Sequence, residues 1–398
     1  MNRIRVAVTY RVCQNWRLPI FRRLSENPLI ELRVFHGQDI PGTKLINAED
    51  FNDLDHKELK SYYLKLKSSG RQAYALIYPS ILDQLNKYKP QVVLCEGGSN
   101  IFNNLLVYWW ARRNSASTIW WCLGGIPGRK YHGFSRLYQW LRKRLMNQST
   151  VLLGYSSRAI QCFEQEGFTQ PMFRAVNTVD TDKIFEDIKR VASIQPSLRD
   201  RFKIKGHKAI LYVGAVEPPK RLDILLHAYK QIKAAQTDSC LIVVGDGSSL
   251  PHIRKLAQEL GLQDIHFAGR VIENISEYFL AADIFVLPGL GGLAISEAMA
   301  HGLPIVCTVA DGCEVDLVQK QNGLIVVEDN IESLARGIES ILSDREKCLK
   351  MGIHSRRIID NEHNIHTYNR EIVNAIMCAY EIGTSIIKEK GDLKNSSR

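Results

Sequence analysis

No apolar run in these 398 residues is long enough to cross a bilayer, and the chain has no Cys-x-x-Cys pair, zinc-spaced Cys/His cluster, low-complexity tract or solenoid-period repeat. The first absence argues against a membrane-spanning helix. The missing cysteine patterns remove the usual signs of a structural metal, and nine scattered cysteines fit a reduced, cytoplasmic setting. The opening MNRIRVAVTY has the pattern of a strand, not of a signal peptide. Acid is also missing locally. None lies between Glu96 and Glu164, a stretch that carries nine basic residues. No recognised nucleic-acid module accompanies that stretch, which argues against a nucleic-acid partner.

What is present is a globular composition, 45% hydrophobic and 24% charged, in a chain too long for one core of ordinary size. Two domains are expected. Charge divides them unevenly: residues 1–178 hold 25 Lys/Arg against 12 Asp/Glu, and residues 179–398 hold 27 against 30. All six tryptophans fall in the first half, five of them between Trp109 and Trp140. Such asymmetry bears on partners, not on fold.

Short β-rich runs alternate with helical patterns from end to end. In the first half the runs are 4–10, 29–36, 91–97, 117–122, 149–156 and 172–177; in the second they are 209–216, 240–247, 264–269, 283–289, 303–308 and 323–327. Continuous apolar strands separated by helices imply parallel sheets covered on both faces. Two such series predict an α/β protein of two Rossmann-like, doubly wound domains facing a cleft. The expected divisions are a first domain over 1–178, a linker over 179–200, a second domain over 201–367, and a C-terminal helix with polar tail over 368–398.

In open parallel sheets ligands gather at the carboxyl ends of strands. Four such ends in the second half agree. VGAVEPPKRLD puts Lys220 and Arg221 after a strand that ends at Gly214, where cations can neutralise a diphosphate or simply open a solvated helix. VVGDGSSL ends a strand at Gly245 in a turn that lets a ligand approach the backbone. VLPGLGGLAISEAMAHGLPIV places Gly289, Gly291 and Gly292 before a helix starting near Leu293, an anion site made of backbone N–H groups. Glu297 lies one turn in, on the face of Leu293, where a carboxylate can accept from two ribose hydroxyls. In TVADGCEVDLV, Glu314 sits in a helix's first turn, as a cap or as a ligand contact.

Taken in order and spacing over roughly 208–345, these motifs resemble the C-terminal domain of the GT-B glycosyltransferases called family 4. The resemblance implies a retaining, metal-independent transferase that uses a nucleotide sugar and needs no other cofactor. It implies Lys220 as the diphosphate-clamp lysine, Gly291, Gly292 and Leu293 as the phosphate loop, and Glu297 as the ribose ligand. Two positions depart. The family's arginine after the strand glycine is Ala215 here, with Arg221 or Arg270 as substitute cations, and its glutamate eight residues before Glu297 is Gly289.

The first half resembles the family less, as a domain fitted to a changing acceptor would. Arg17 follows the first strand, and Gly97, Gly124 and Gly125 follow two others, all at ends where an acceptor or a donor phosphate can approach. His132 is the nearest substitute for a family histidine that touches the donor sugar, or else an exposed loop residue. Phe134–Asn147 reads as a basic amphipathic helix. Phe134, Leu137, Tyr138, Leu141 and Leu145 share a face bordered by Arg136, Arg142, Lys143 and Arg144, which suits either an anionic membrane surface or core packing. Asp180 and Asp182 read as helix caps, not metal ligands. The expectation is therefore a transferase acting on a glycan or lipid-linked acceptor for cell-surface polysaccharide or glycoconjugate, peripheral on the inner face of the membrane. A GT-B nucleotide-sugar epimerase, or a basic nucleic-acid- or membrane-binding protein with a degenerate donor site, is the alternative.

Overall fold

In the computed structural model every one of the apolar runs above becomes a parallel strand. The central strands of each sheet are buried on both faces, while the edge strands Met172–Arg174, Ile265–Gly269 and Gly323–Val326 are only partly covered. Residues 3–396 are described, apart from 44, 69–70, 99, 126–133, 195, 205, 207 and 236–237. The first sheet holds β1 (Ile4–Tyr10), β2 (Ile30–Gly37), β3 (His56–Leu59), β6 (Val92–Glu96), β7 (Ser117–Cys122), β8 (Val151–Gly154) and β9 (Met172–Arg174), with a separate antiparallel hairpin of β4 (Tyr62–Ser68) and β5 (Arg71–Ile77). Its order is β3-β2-β1-β6-β7-β8-β9, parallel throughout. STIWWC in β7 is wholly buried, and Trp120 joins Val93, Leu152 and Phe163 in the core beneath it.

The second sheet is built alike from β10 (Lys208–Val213), β11 (Ser239–Val244), β12 (Ile265–Gly269), β13 (Ile284–Leu287), β14 (Ile305–Thr308) and β15 (Gly323–Val326). Its order is β12-β11-β10-β13-β14-β15, again parallel. Strand order reverses between β10 and β13, so their carboxyl ends flank the switch point at which such sheets bind ligands.

The chain divides into two compact units, Met1–Ala175 with His366–Arg398, and Val176–Ile365. This differs from the expected boundaries in two places. The stretch 179–200 is not a bare linker: it carries helices Thr181–Val191 and Leu198–Arg201 of the second unit, the first of them capped by Asp180, whose carboxylate accepts from Lys183 N at 3.4 Å. The C-terminal helix runs over Ile365–Ser396, taking in most of the expected polar tail, and groups with the first unit.

Candidate functional site

β10 and β13 pair through Ile210–Ile284 and Leu211–Phe285, and the loops leaving them are laid against each other. After β10, Pro218–Lys220 makes one 3-10 turn and Arg221 follows at φ 53°. After β13 comes the glycine loop. Leu290 N donates to Pro219 O at 2.9 Å, and the Lys220 ammonium donates to Leu290 O. A Cβ on Gly289 would lie 2.7 Å from the Lys220 carbonyl carbon and run into Pro219 O. Gly289 is therefore a fitting residue where two backbones meet, and no carboxylate side chain can stand there with the loops so placed.

The two loops bring Lys220 to the start of helix Leu293–Ala300. A Cβ on Gly291 would sit 3.0 Å from Lys220 Nζ. Burial pulls the Lys220 pKa down, while the nearby Asp311 charge pushes it up. Gly292 is the helix N-cap, with no capping side chain of its own. The first N–H groups of a helix have no partner inside it, so ammonium and helix end converge on one anion-seeking spot.

Glu297 lies one turn further along, on the face of Leu293. Its carboxylate makes no hydrogen bond or ion pair among the described residues. Burial raises its pKa to about 7, with a smaller push from Asp187 on helix Thr181–Val191. A half-buried acceptor with no protein donor is suited to hydroxyl donors brought by a ligand.

Other expected cations stand elsewhere. The Arg221 guanidinium is gripped by Asp223, at 3.1 and 3.2 Å, and by Asp329. It is thus paired with two part-exposed carboxylates of its own chain. Arg270 is exposed beyond the edge strand β12, with β11 and β10 between that strand and β13. Gly214 and Gly245 serve close packing: a Cβ on Gly245 would collide with Gly214 O, and Gly245 N donates to Gly269 O at 2.7 Å. Glu314 is buried, and its Oε2 accepts from Gly312 N at 2.8 Å, in the turn that leads into helix Glu314–Leu317.

Asp311 was missed, because a lone aspartate in a Gly turn has the look of a turn former. It follows β14. Its Oδ1 accepts from Cys313 N at 3.1 Å, and its Oδ2 would lie 2.6 Å from a Cβ on Gly292.

In the first unit the acceptor-side expectations change. Arg17 is 2% exposed, not ligand-facing: it donates to Tyr10, Tyr155 and Tyr368 hydroxyls at 2.9, 2.6 and 2.9 Å and stacks over Trp16 and Trp121. Gly97 is small because Trp120 Nε1 would be 2.5 Å from its Cβ. Gly124, at φ 82°, and Gly125 lie against Ala159 and Cys162 of helix Ser157–Gln165. His132 lies outside the described residues.

Helix Phe134–Gln148 forms where expected, but its faces are assigned differently. Tyr138, Leu141 and Leu145 pack into the first unit's core. Arg142 is buried with them, bonded to both Glu166 oxygens at 2.7 Å and to Gln139 Oε1 at 2.7 Å. The outer face instead carries Arg136, Leu137, Trp140, Lys143 and Arg144, with Leu137 51% and Trp140 55% exposed. Helix Ile101–Asn114 packs beside it and exposes Trp109, on which Arg113 stacks at 4.0 Å. Among the described residues, no helix is long and apolar enough to cross a membrane.

Comparison with known proteins places this geometry. Residues 194–358 match the family described as Glycosyl transferases group 1. Over 190 residues the chain is 27% identical to the GDP-mannose-dependent alpha-(1-6)-phosphatidylinositol monomannoside mannosyltransferase of Mycobacterium tuberculosis, an alignment covering 45% of this chain and 48% of that protein. The chain thus spans about half the length of the relatives it matches. Among solved structures, Anabaena HepE in complex with UDP superposes with a TM-score of 0.73 at 14% identity, covering 94% of this chain and 100% of that one. Sucrose-phosphate synthase from Thermosynechococcus elongatus gives 0.72 at 15% identity, covering 96% and 100%. At these identities the structural likeness fixes the fold.

Proposed function

We propose that this chain, a GT-B-fold protein whose residues 194–358 are a glycosyl transferases group 1 domain, moves a sugar from a nucleotide-sugar donor to a glycan or lipid-linked acceptor. The observation that carries the reading is the convergence, beside the β10–β13 switch point, of the Lys220 ammonium, an uncapped helix N-terminus and the partnerless carboxylate of Glu297. The ammonium and helix N–H groups neutralise the leaving diphosphate, and Glu297 accepts from the ribose hydroxyls. The relative named as GDP-mannose-dependent and the neighbour solved with UDP support a nucleoside diphosphate as the leaving group.

In this reading transfer proceeds with retention and without a metal, since fixed cationic groups do what a metal does elsewhere. Acceptors are held at an anionic membrane surface, in polysaccharide or glycoconjugate synthesis. The support for that placement is the outer face of helix Phe134–Gln148, where Trp140 and Leu137 stand among Arg136, Lys143 and Arg144.

Calorimetric titration with UDP, GDP and ADP in excess chelator tests the core of it. At least one should bind, and Lys220→Ala should weaken that binding by ~1.5–3 kcal/mol, the range for a charge-assisted hydrogen bond. Binding only after manganese or magnesium is added would sink the metal-free donor site, and an unchanged Lys220→Ala affinity would remove its cation.

A further inference from the structure

Asp311 stands beside the anion-seeking spot made by Lys220 and the start of helix Leu293–Ala300. Its surroundings are specific. Asp311 Oδ2 would lie 2.6 Å from a Cβ on Gly292, and Lys220 Nζ 3.0 Å from one on Gly291. Carboxylate and ammonium thus flank two consecutive glycines at the start of helix Leu293–Ala300. Each feels the other's charge, yet no ion pair joins them among the described residues. The ammonium is held by Leu290 O, and Asp311 is held by Cys313 N. Burial raises the Asp311 pKa as it lowers that of Lys220, so both groups lack solvation that a ligand can supply.

A diphosphate takes the ammonium side. The carboxylate beside it cannot bind an ionised phosphate, because both groups only accept. The donors that a nucleotide sugar brings are hydroxyls, and with the ribose assigned to Glu297 those on the other side of the diphosphate belong to the transferred sugar. The β13 loop cannot provide such an acceptor, since Gly289 is pressed against Pro219 and Lys220. The neighbouring strand β14 provides one instead.

We propose that Asp311 accepts hydrogen bonds from hydroxyls of the transferred sugar and is the specificity-determining carboxylate of the donor site. This rests on the nucleotide-sugar reading of that site. Asp311 also disfavours any sugar that carries a carboxylate of its own, by like-charge repulsion in a poorly solvated place.

The test compares each nucleoside diphosphate with its sugar form, on wild type and on Asp311→Asn, which keeps an oxygen for Cys313 N. The probes are UDP, UDP-glucose, UDP-glucuronate, GDP and GDP-mannose, with melting temperature as the check on folding. Asp311→Asn should weaken the neutral sugar nucleotide by about tenfold relative to its bare diphosphate, as loss of a hydrogen bond to a charged group does. Where UDP is the base that binds, the variant should also lose the wild type's preference for UDP-glucose over UDP-glucuronate. If bare diphosphate and sugar form tighten together, Asp311 merely occupies the phosphate's place and the proposal falls. Unchanged affinities for both also overturn it. Failure of wild type to bind any of the five, or ADP or ADP-glucose, brings down the nucleotide-sugar reading itself, and this inference with it.

Discussion

Glu297 carries a titration that its ligand should feel. Its carboxyl is raised by burial to about 7 from an ordinary value of 4.5. A carboxyl raised on folding holds its proton longer in the folded state, so its contribution to stability falls as pH rises from about 4.5 to about 7. The ionised carboxylate accepts from ribose hydroxyls more strongly than the protonated form does, so nucleotide affinity should climb through pH 7 and level off above it. A terminal phosphate titrates near 6 and adds its own slope. Glu297→Gln has the phosphate slope alone, so the difference between the two pH profiles of Kd isolates the carboxyl; parallel profiles would take Glu297 out of the ribose site. Glu297 and Lys220 were legible because strand-end position and residue type together point to ligand chemistry. Arg221 was not, because its partner Asp329 lies 108 residues further on. A loop cation and a cation locked into the fold look alike until that distance is closed.

Helix Phe134–Gln148 shows the same limit one level up. Period 3.6 tells which side chains share a face, but not which face the rest of the fold covers. The basic border of the apolar stripe therefore concealed Arg142, which turns inward to Glu166. Strand β4 shows the opposite case. YYLKLKS alternates as a one-sided strand should, and a search for continuous apolar runs passes over it. The corrected faces change which variants inform on membrane contact. Arg142→Glu should cost ~3–5 kcal/mol by leaving Glu166 against a like charge in a buried place, and reports on folding alone. Arg136→Glu, Arg144→Glu and Trp140→Ser sit on the outer face. Each basic side chain near an anionic surface contributes about 1 kcal/mol. The wild type should sediment with phosphatidylserine vesicles at low salt and less so at high salt, and the outer-face triple variant should stay in solution with an unchanged melting temperature. Sedimentation of that variant at low salt would refute the contact.

At the scale of the whole chain, twelve strands and their parallel order followed from apolar runs alternating with helices. The return of the C-terminal helix did not. Its sequence shows a helix but nothing of what it packs on, because the decisive contact joins Tyr368 to Arg17, 351 residues away. Arg17 is buried in the 3-10 turn Asn15–Arg17 that follows β1, and its three tyrosine partners come from β1, from just after β8 and from the C-terminal helix. A buried cation is costly unless its donors are met, so the helix is fixed to the first unit by chemistry as well as by apolar packing. Tyr368→Phe keeps the ring and removes one acceptor, leaving a guanidinium N–H without its bond. The expected loss is ~1.5–3 kcal/mol, the range for a hydrogen bond to a charged group. The chain supplies its own probe, since all six tryptophans lie between Trp16 and Trp140, in the first unit. Tryptophan fluorescence during urea unfolding therefore follows that unit alone. A substitution near the far end of the sequence should move the midpoint of a signal that arises entirely in its first 140 residues. If the midpoint stays where it is in wild type, Tyr368 does not hold Arg17, and the C-terminal helix is not an integral part of the first unit.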